Sequence, residues 1–153
     1  MGKNSIEKLF WSIALPGFGQ LLNGKYVKGI LFIALEFIIN VQANFNQVIL
    51  LSFRGQIQQA IEQANYGWLM FYPCLYFFAM WDAYKDAGGG RTSFSFFPFV
   101  FAAYFVTVGL MFSGTRVLGV LWGPIWLPIL SVVPGVTIGF LIKIIVRKWV
   151  GSE

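Results

Sequence analysis

Residues 117–146 read VLGVLWGPIWLPILSVVPGVTIGFLIKIIV, thirty positions with one ionisable side chain, Lys143. A helix that crosses a bilayer needs about 20 predominantly apolar residues, so this run exceeds one crossing. Pro124, Pro128 and Pro134 divide it. Either a short segment precedes a helix from Pro128, or one kinked helix crosses. Lys143, Arg147 and Lys148 can snorkel to the surface at its end.

Working outward, residues 96–112 are a second apolar run, joined to the first by the turn Ser113-Gly114-Thr115-Arg116. Together they make a C-terminal helical pair over 96–148. Residues 67–81 are dense in Trp and Tyr, which suit headgroup belts, and Pro73 is placed to kink them. The loop after them contains Gly88-Gly89-Gly90, a sequence that destabilises helix. Residues 27–41 are apolar except for Glu36 and Asn40. Residues 42–66 are polar, yet their apolar positions recur at spacings of three and four, which reads as an amphipathic external helix or a continuation of the preceding span. Residues 9–22 are apolar but short and carry Pro16, Gly17 and Gly19.

Hydrophobic residues make up 58% of the 153-residue chain and charged residues 11%, against about 45–50% and about 25% in soluble domains. A soluble fold of this length cannot hide that much apolar surface. The expected fold is therefore all-α. It is a polytopic helical membrane bundle of about four spans plus a short N-terminal interfacial or re-entrant helix. One membrane domain covers 1–153. Its parts are an N-terminal helix and turn (1–26), two spans with the external segment 42–66 between them (27–86), and the C-terminal pair (96–148).

The composition also excludes function classes. The net charge is +5, but the basic residues are scattered between apolar runs and form no compact patch, which argues against nucleic acid. There is no histidine, which removes His-based metal sites and catalytic triads. Ser, Lys and Asp show no nucleophile–base spacing, so no enzyme and no cofactor is expected. Gly88-Gly89-Gly90-Arg91-Thr92 lacks the Walker spacing and reads as a flexible loop. The lone Cys74 lies in an apolar run and reads as a buried apolar residue. Residues 1–15 resemble a signal peptide without a cleavage site and are expected to be retained. Gly2 is not followed by the hydroxyl pattern of myristoylation, since Ile6 occupies that place.

The sharpest local signal is the candidate turn motif Pro16, Gly17, Gly19, Gln20, Asn23 and Gly24, followed by Lys25, Lys28 and Gly29. Pro and Gly break a helix, and Asn-Gly makes a tight turn that tolerates positive φ. The bland reading is a hairpin turn at the membrane surface; the functional one is a lipid or peptide contact. With the following apolar helix and Trp81-Asp82-Ala83-Tyr84, this pattern resembles bacterial small membrane proteins related to the two-transmembrane-helix domain family. Gly17, Gly19, Asn23, Gly24, Gly29 and Asp82 match, over roughly residues 6–86. The insertion 42–65 and the last two spans depart from the pattern. The resemblance implies membrane residence and no particular chemistry. Asp82 and Asp86, one turn apart, read as a solvated helix end, with cation binding as the alternative.

Glu36 is the one acidic residue well inside an apolar run. At about 100° per residue, Glu36, Asn40, Asn44 and Gln47 share a sector, and a continuing helix returns Arg54, Gln58 and Glu62 to it. This polar stripe is the second candidate site. It is either hydrogen-bonded to neighbouring helices or a groove facing protons or solute.

With the first segment re-entrant and both termini cytoplasmic, Lys3, Lys8, Lys25, Lys28, Lys85, Arg91, Lys143, Arg147 and Lys148 lie inside, and Arg54 and Arg116 outside. If the first segment crosses, the division is seven against four. The expected location is the cell membrane, multi-pass. The expected function is a scaffold or accessory subunit, with the lipid bilayer and a membrane-protein partner or further copies of the chain as associates. The alternative is a small oligomeric transporter or channel subunit.

Overall fold

The computed structural model describes residues Lys3–Val150, most of which are helical. The elements are α1 (Lys3–Ala14), α2 (Phe18–Leu22), α3 (Tyr26–Gln42), α4 (Phe45–Phe53), α5 (Ile57–Gln63), α6 (Tyr66–Leu69), α7 (Tyr72–Asp86), α8 (Phe97–Met111), the two-residue strands β1 (Arg116–Val117) and β2 (Val120–Leu121), and α9 (Gly123–Val150).

The chain reverses between α1 and α2 because Pro16 lacks a backbone N–H and Gly17 takes φ 105°, a left-handed value open to glycine. Gln20, Asn23 and Lys28 contact the C-terminal half of α7, while the Tyr76 hydroxyl, nearer the start of α7, donates to the Ile13 carbonyl. So α1 rises partway along α7 and α2 returns to the Asp82 end. From there α3 runs away, α7 runs back, α8 runs away and α9 returns. At the opposite end α4, α5, α6 and the β-hairpin gather around the start of α9, where Trp126 Nε1 donates to the Ser52 carbonyl.

The helix that begins before Val27 does not continue into the external segment. Asn44 takes φ 54°, ψ 31°, and α3 and α4 meet at a bend of 65°. Asn accepts the left-handed region because its short amide bonds locally. Here it donates to the Gln63 carbonyl at 3.2 Å, and Asn65 N–H donates to the Ala43 carbonyl at 3.3 Å. Gly55, at φ 76°, then folds α5 back on α4. The expected single amphipathic helix over 42–66 is thus two short helices with Val48, Leu51 and Ala60 buried between them and Ile125.

At the C-terminal run, one continuous helix holds both Pro128 and Pro134. The short preceding segment is a hairpin whose turn residues Leu118 and Gly119 have φ 52° and 80°. Cys74 is exposed, contrary to its expected burial, because it sits on an outward face of α7.

Among the described residues one helix, α9, is long and apolar enough to cross a membrane, and a second crossing is reached if the bent pair α3–α4 counts as one. No other helix among the described residues reaches that length and apolarity, so the expected four spans are not shown as full-length helices. Helices α7 and α8 have 15 residues each, about 22 Å at 1.5 Å per residue, short of a hydrocarbon core about 30 Å thick. Helix α9 is not a core helix of the soluble kind, for only 11% of its most apolar window is buried. Its Val133, Phe140, Leu141 and Ile145 are exposed, as are Val27, Ile30 and Phe37 on α3.

The interior between α8 and α9 is closed by glycine. A Cβ on Gly135 would lie 2.8 Å from Ala102 Cα, and one on Gly139 would lie 2.6 Å from Pro98 Cα. This small-xxx-small pair brings the two backbones together. Ala102 and Val106 of α8 also pack on Phe77 and Met80 of α7, with Val132 and Val136 of α9 against the same cluster.

Candidate functional site

Part of the turn motif and the end of α7 form one polar cluster. Gly19 lies at the crossing of three helices: a Cβ on it would meet Ala83 Cβ at 2.6 Å, the Lys8 carbonyl at 2.7 Å, and the Ser12 hydroxyl. That closeness brings Gln20, fully buried, against α7. Its Nε2 donates to the Ala79 carbonyl at 2.7 Å and to Asp82 Oδ2 at 3.1 Å. Asn23, in the turn closed by Gly24 at φ 72°, donates from Nδ2 to the Ala83 carbonyl at 2.8 Å. One turn into α3, Lys28 Nζ reaches Asp82 Oδ1 at 2.7 Å and Asp86 Oδ2 at 3.0 Å.

Asp82 and Asp86 are i and i+4 on α7, so both carboxylates project from one face. They do not form a solvated terminus. Their side chains are only 15% and 22% exposed, and Lys28 fills the space a cation would take. Asp82 is the hub: one oxygen accepts from a buried amide and the other from an ammonium. Of the motif, Gly19, Gln20 and Asn23 meet α7 and clamp the two-helix turn to it. Pro16 and Gly17 instead make the reversal before α2, where a Cβ on Gly17 would meet Gly29 and Ile33 of α3, and Gly24, open on all sides, serves the turn alone. No group of three or more metal-ligating side chains occurs among the described residues.

The polar stripe is divided. Glu36 is buried beside the Tyr72 hydroxyl, and its Oε2 has no hydrogen-bond partner. Asn40 donates to Asn46 Oδ1 at 3.2 Å. Asn44 sits at the bend, where it bonds to the Gln63 carbonyl, and Gln47 is exposed on α4. Gln58 donates to Glu62 Oε1 within α5 at 3.0 Å. The expected continuous sector from Glu36 to Glu62 fails because three helices with different axes carry it. What remains at midchain is the set Glu36, Tyr72 and Tyr76, with the two rings stacked at 5.5 Å. The Tyr76 hydroxyl, at 2.6 Å from the Ile13 carbonyl, satisfies one of the last acceptors of α1.

Sequence reasoning missed both tyrosines, which it read as interfacial aromatics. It also missed Gly135 and Gly139, whose four-residue spacing in an apolar run was a readable packing signal. Tyr72 and Tyr76 also line an apolar cavity of about 370 Å³ between α4, α7, α8 and α9. The chain matches no family model, no curated protein and no solved structure.

Proposed function

We propose that this chain is a multi-pass membrane protein of non-enzymatic type, a scaffold or accessory subunit that acts by association within the bilayer. The observation that carries the reading is the low burial of the long apolar helix α9, together with the bare apolar face of α3. Water disfavours such surfaces by about 25 cal/mol per Å², and lipid or another helix removes that penalty. The broken pair α3–α4 and the shorter α7 and α8 complete the crossings in this reading. The motif behind the likeness to the two-transmembrane-helix domain family is the one that clamps α2 to α7.

Charge supports the orientation. The Asp82 end collects the start of α3, the end of α7, the loop with Arg91 and the end of α9, whereas Arg54 and Arg116 lie at the other end. The positive-inside bias then puts the Asp82 end and both termini in the cytoplasm. In a Cys74→Ala background, cysteines at Asn4 and Lys25 are expected to label from the cytoplasmic side and one at Gln59 from the opposite side. Labelling of Asn4 and Lys25 from opposite sides would make the first segment a crossing and overturn this topology.

Association is tested by affinity purification in mild detergent. A stoichiometric membrane-protein partner, or a stable homo-oligomer that passes no ions or solutes in liposomes, is the expected result. A homo-oligomer that conducts or transports in liposomes overturns it in favour of the transport reading. One feature favours that second reading, the buried Glu36 oxygen without a partner beside Tyr72.

A further inference from the structure

A second cavity, of about 740 Å³, opens at the Asp82 end between α1, α7, α8 and α9. Its volume falls in the range of about 300–1,000 Å³ typical of small-ligand sites. The interior is apolar, walled by Leu9, Met80, Val136 and Phe140, and the rim carries Arg91 and Lys143 beside the glycine loop 88–90. Among the described residues no acidic side chain lines it. The nearest carboxylates of α7, Asp82 and Asp86, are engaged by Lys28. From Val132 to Lys143 along α9 the lining extends about 16 Å at 1.5 Å per residue. Phe77 and Val132 line both this space and the smaller apolar cavity, so the apolar walls continue inward. A cationic rim over a deep apolar floor is complementary to an anion that carries a hydrocarbon chain, and to neither part alone.

We propose that this cavity seats one anionic phospholipid of the surrounding bilayer. Its phosphate lies against Arg91 and Lys143, and an acyl chain lies between α1 and α9. Arg and Lys bind phosphate oxygens through charge-assisted hydrogen bonds. This inference rests on the reading of the chain as a membrane protein.

The test reconstitutes the full chain in nanodiscs of equal phosphatidylglycerol and phosphatidylcholine and reads the retained lipid by native mass spectrometry. Wild type is expected to keep one phosphatidylglycerol. Arg91→Gln with Lys143→Gln is expected to lower its retention about tenfold. Arg147→Gln with Lys148→Gln, outside the cavity, is expected to leave it unchanged. Val136→Trp fills the apolar floor, keeps both cations, and is expected to expel the lipid as well. All variants are compared at the wild-type gel-filtration position. Retention unaltered by the Arg91/Lys143 pair, retention unaltered by Val136→Trp, or no phosphatidylglycerol on wild type each overturns the site. A carbonate wash separates the two readings. Release of the chain without detergent overturns membrane residence, whereas a chain that stays in the membrane fraction and binds no lipid overturns the lipid site alone.

Discussion

Changing Gly135 and Gly139 together to alanine is expected to lower the folding equilibrium constant at least tenfold, read as an unfolding midpoint shifted by several degrees or as a lost monodisperse gel-filtration peak. Two effects oppose each other. In the middle of α9 alanine favours the helix over glycine by about 1 kcal/mol per site. Against that, the new Cβ atoms meet backbone. At Gly135 they face Ala102 Cα at 2.8 Å and the Phe101 carbonyl at 2.9 Å, and at Gly139 they face Pro98 Cα at 2.6 Å and the Phe97 carbonyl at 2.8 Å. Backbone cannot rotate aside as a side-chain end does, so α8 and α9 must separate along their shared face. Overpacking of this kind costs about 1–3 kcal/mol or more per site, and separation also removes packing along the rest of the pair. The steric term therefore wins. Gly114→Ala is the matched control, since its nearest neighbour would be Ile61 Cγ2 at 3.9 Å, and it is expected to leave the midpoint unchanged within about 0.5 kcal/mol. A double alanine variant as stable as wild type would mean that α8 and α9 are not closely apposed.

The helical character and the long apolar helix were readable because hydropathy and helical spacing are local properties, as in residues 123–150. The bend at Pro16–Gly17 was readable for the same reason, because proline and glycine act on their own backbone. The bend at Asn44 was not. Residues 42–66 carry a good helical period and no proline, and the break depends on acceptors and donors twenty residues away, at Gln63 and Asn65. The candidate site was half legible. The motif residues marked a turn, but their partners lie on α7, as with Gln20 and Ala79, separated by 59 positions. Nothing in the order of residues pairs Lys28 with Asp82. The Glu36 stripe illustrates the opposite error: a periodic pattern projected along one axis is meaningless once that axis turns by 65°.

The second large effect is expected at Asp82, where the variants separate the two bonds that meet on one carboxylate. Asp82→Ala removes the acceptor of the buried Gln20 amide and of the Lys28 ammonium. A hydrogen bond to a charged group is worth about 1.5–3 kcal/mol, and a buried polar group left short of partners adds to the loss. Gln20 has little reserve, because its Oε1 already lacks a partner and only the Ala79 carbonyl would remain for Nε2. The ion pair contributes less. Lys28 is 46% exposed, and pairs in contact with water give about 0–1 kcal/mol. Asp82→Ala is therefore expected to destabilise by about 2–3 kcal/mol. Asp82→Asn keeps an oxygen for Gln20 and gives up the negative charge, so about 1 kcal/mol is expected. Lys28→Ala is expected to match the asparagine variant, since Asp86 loses only a half-exposed partner. The order Asp82→Ala well below Asp82→Asn and Lys28→Ala, in an unfolding series in one detergent, assigns the clamp to the buried amide. If Asp82→Asn is as damaging as Asp82→Ala while Lys28→Ala matches both, the ion pair holds α2 and α3 to α7, and the role given to Gln20 is wrong.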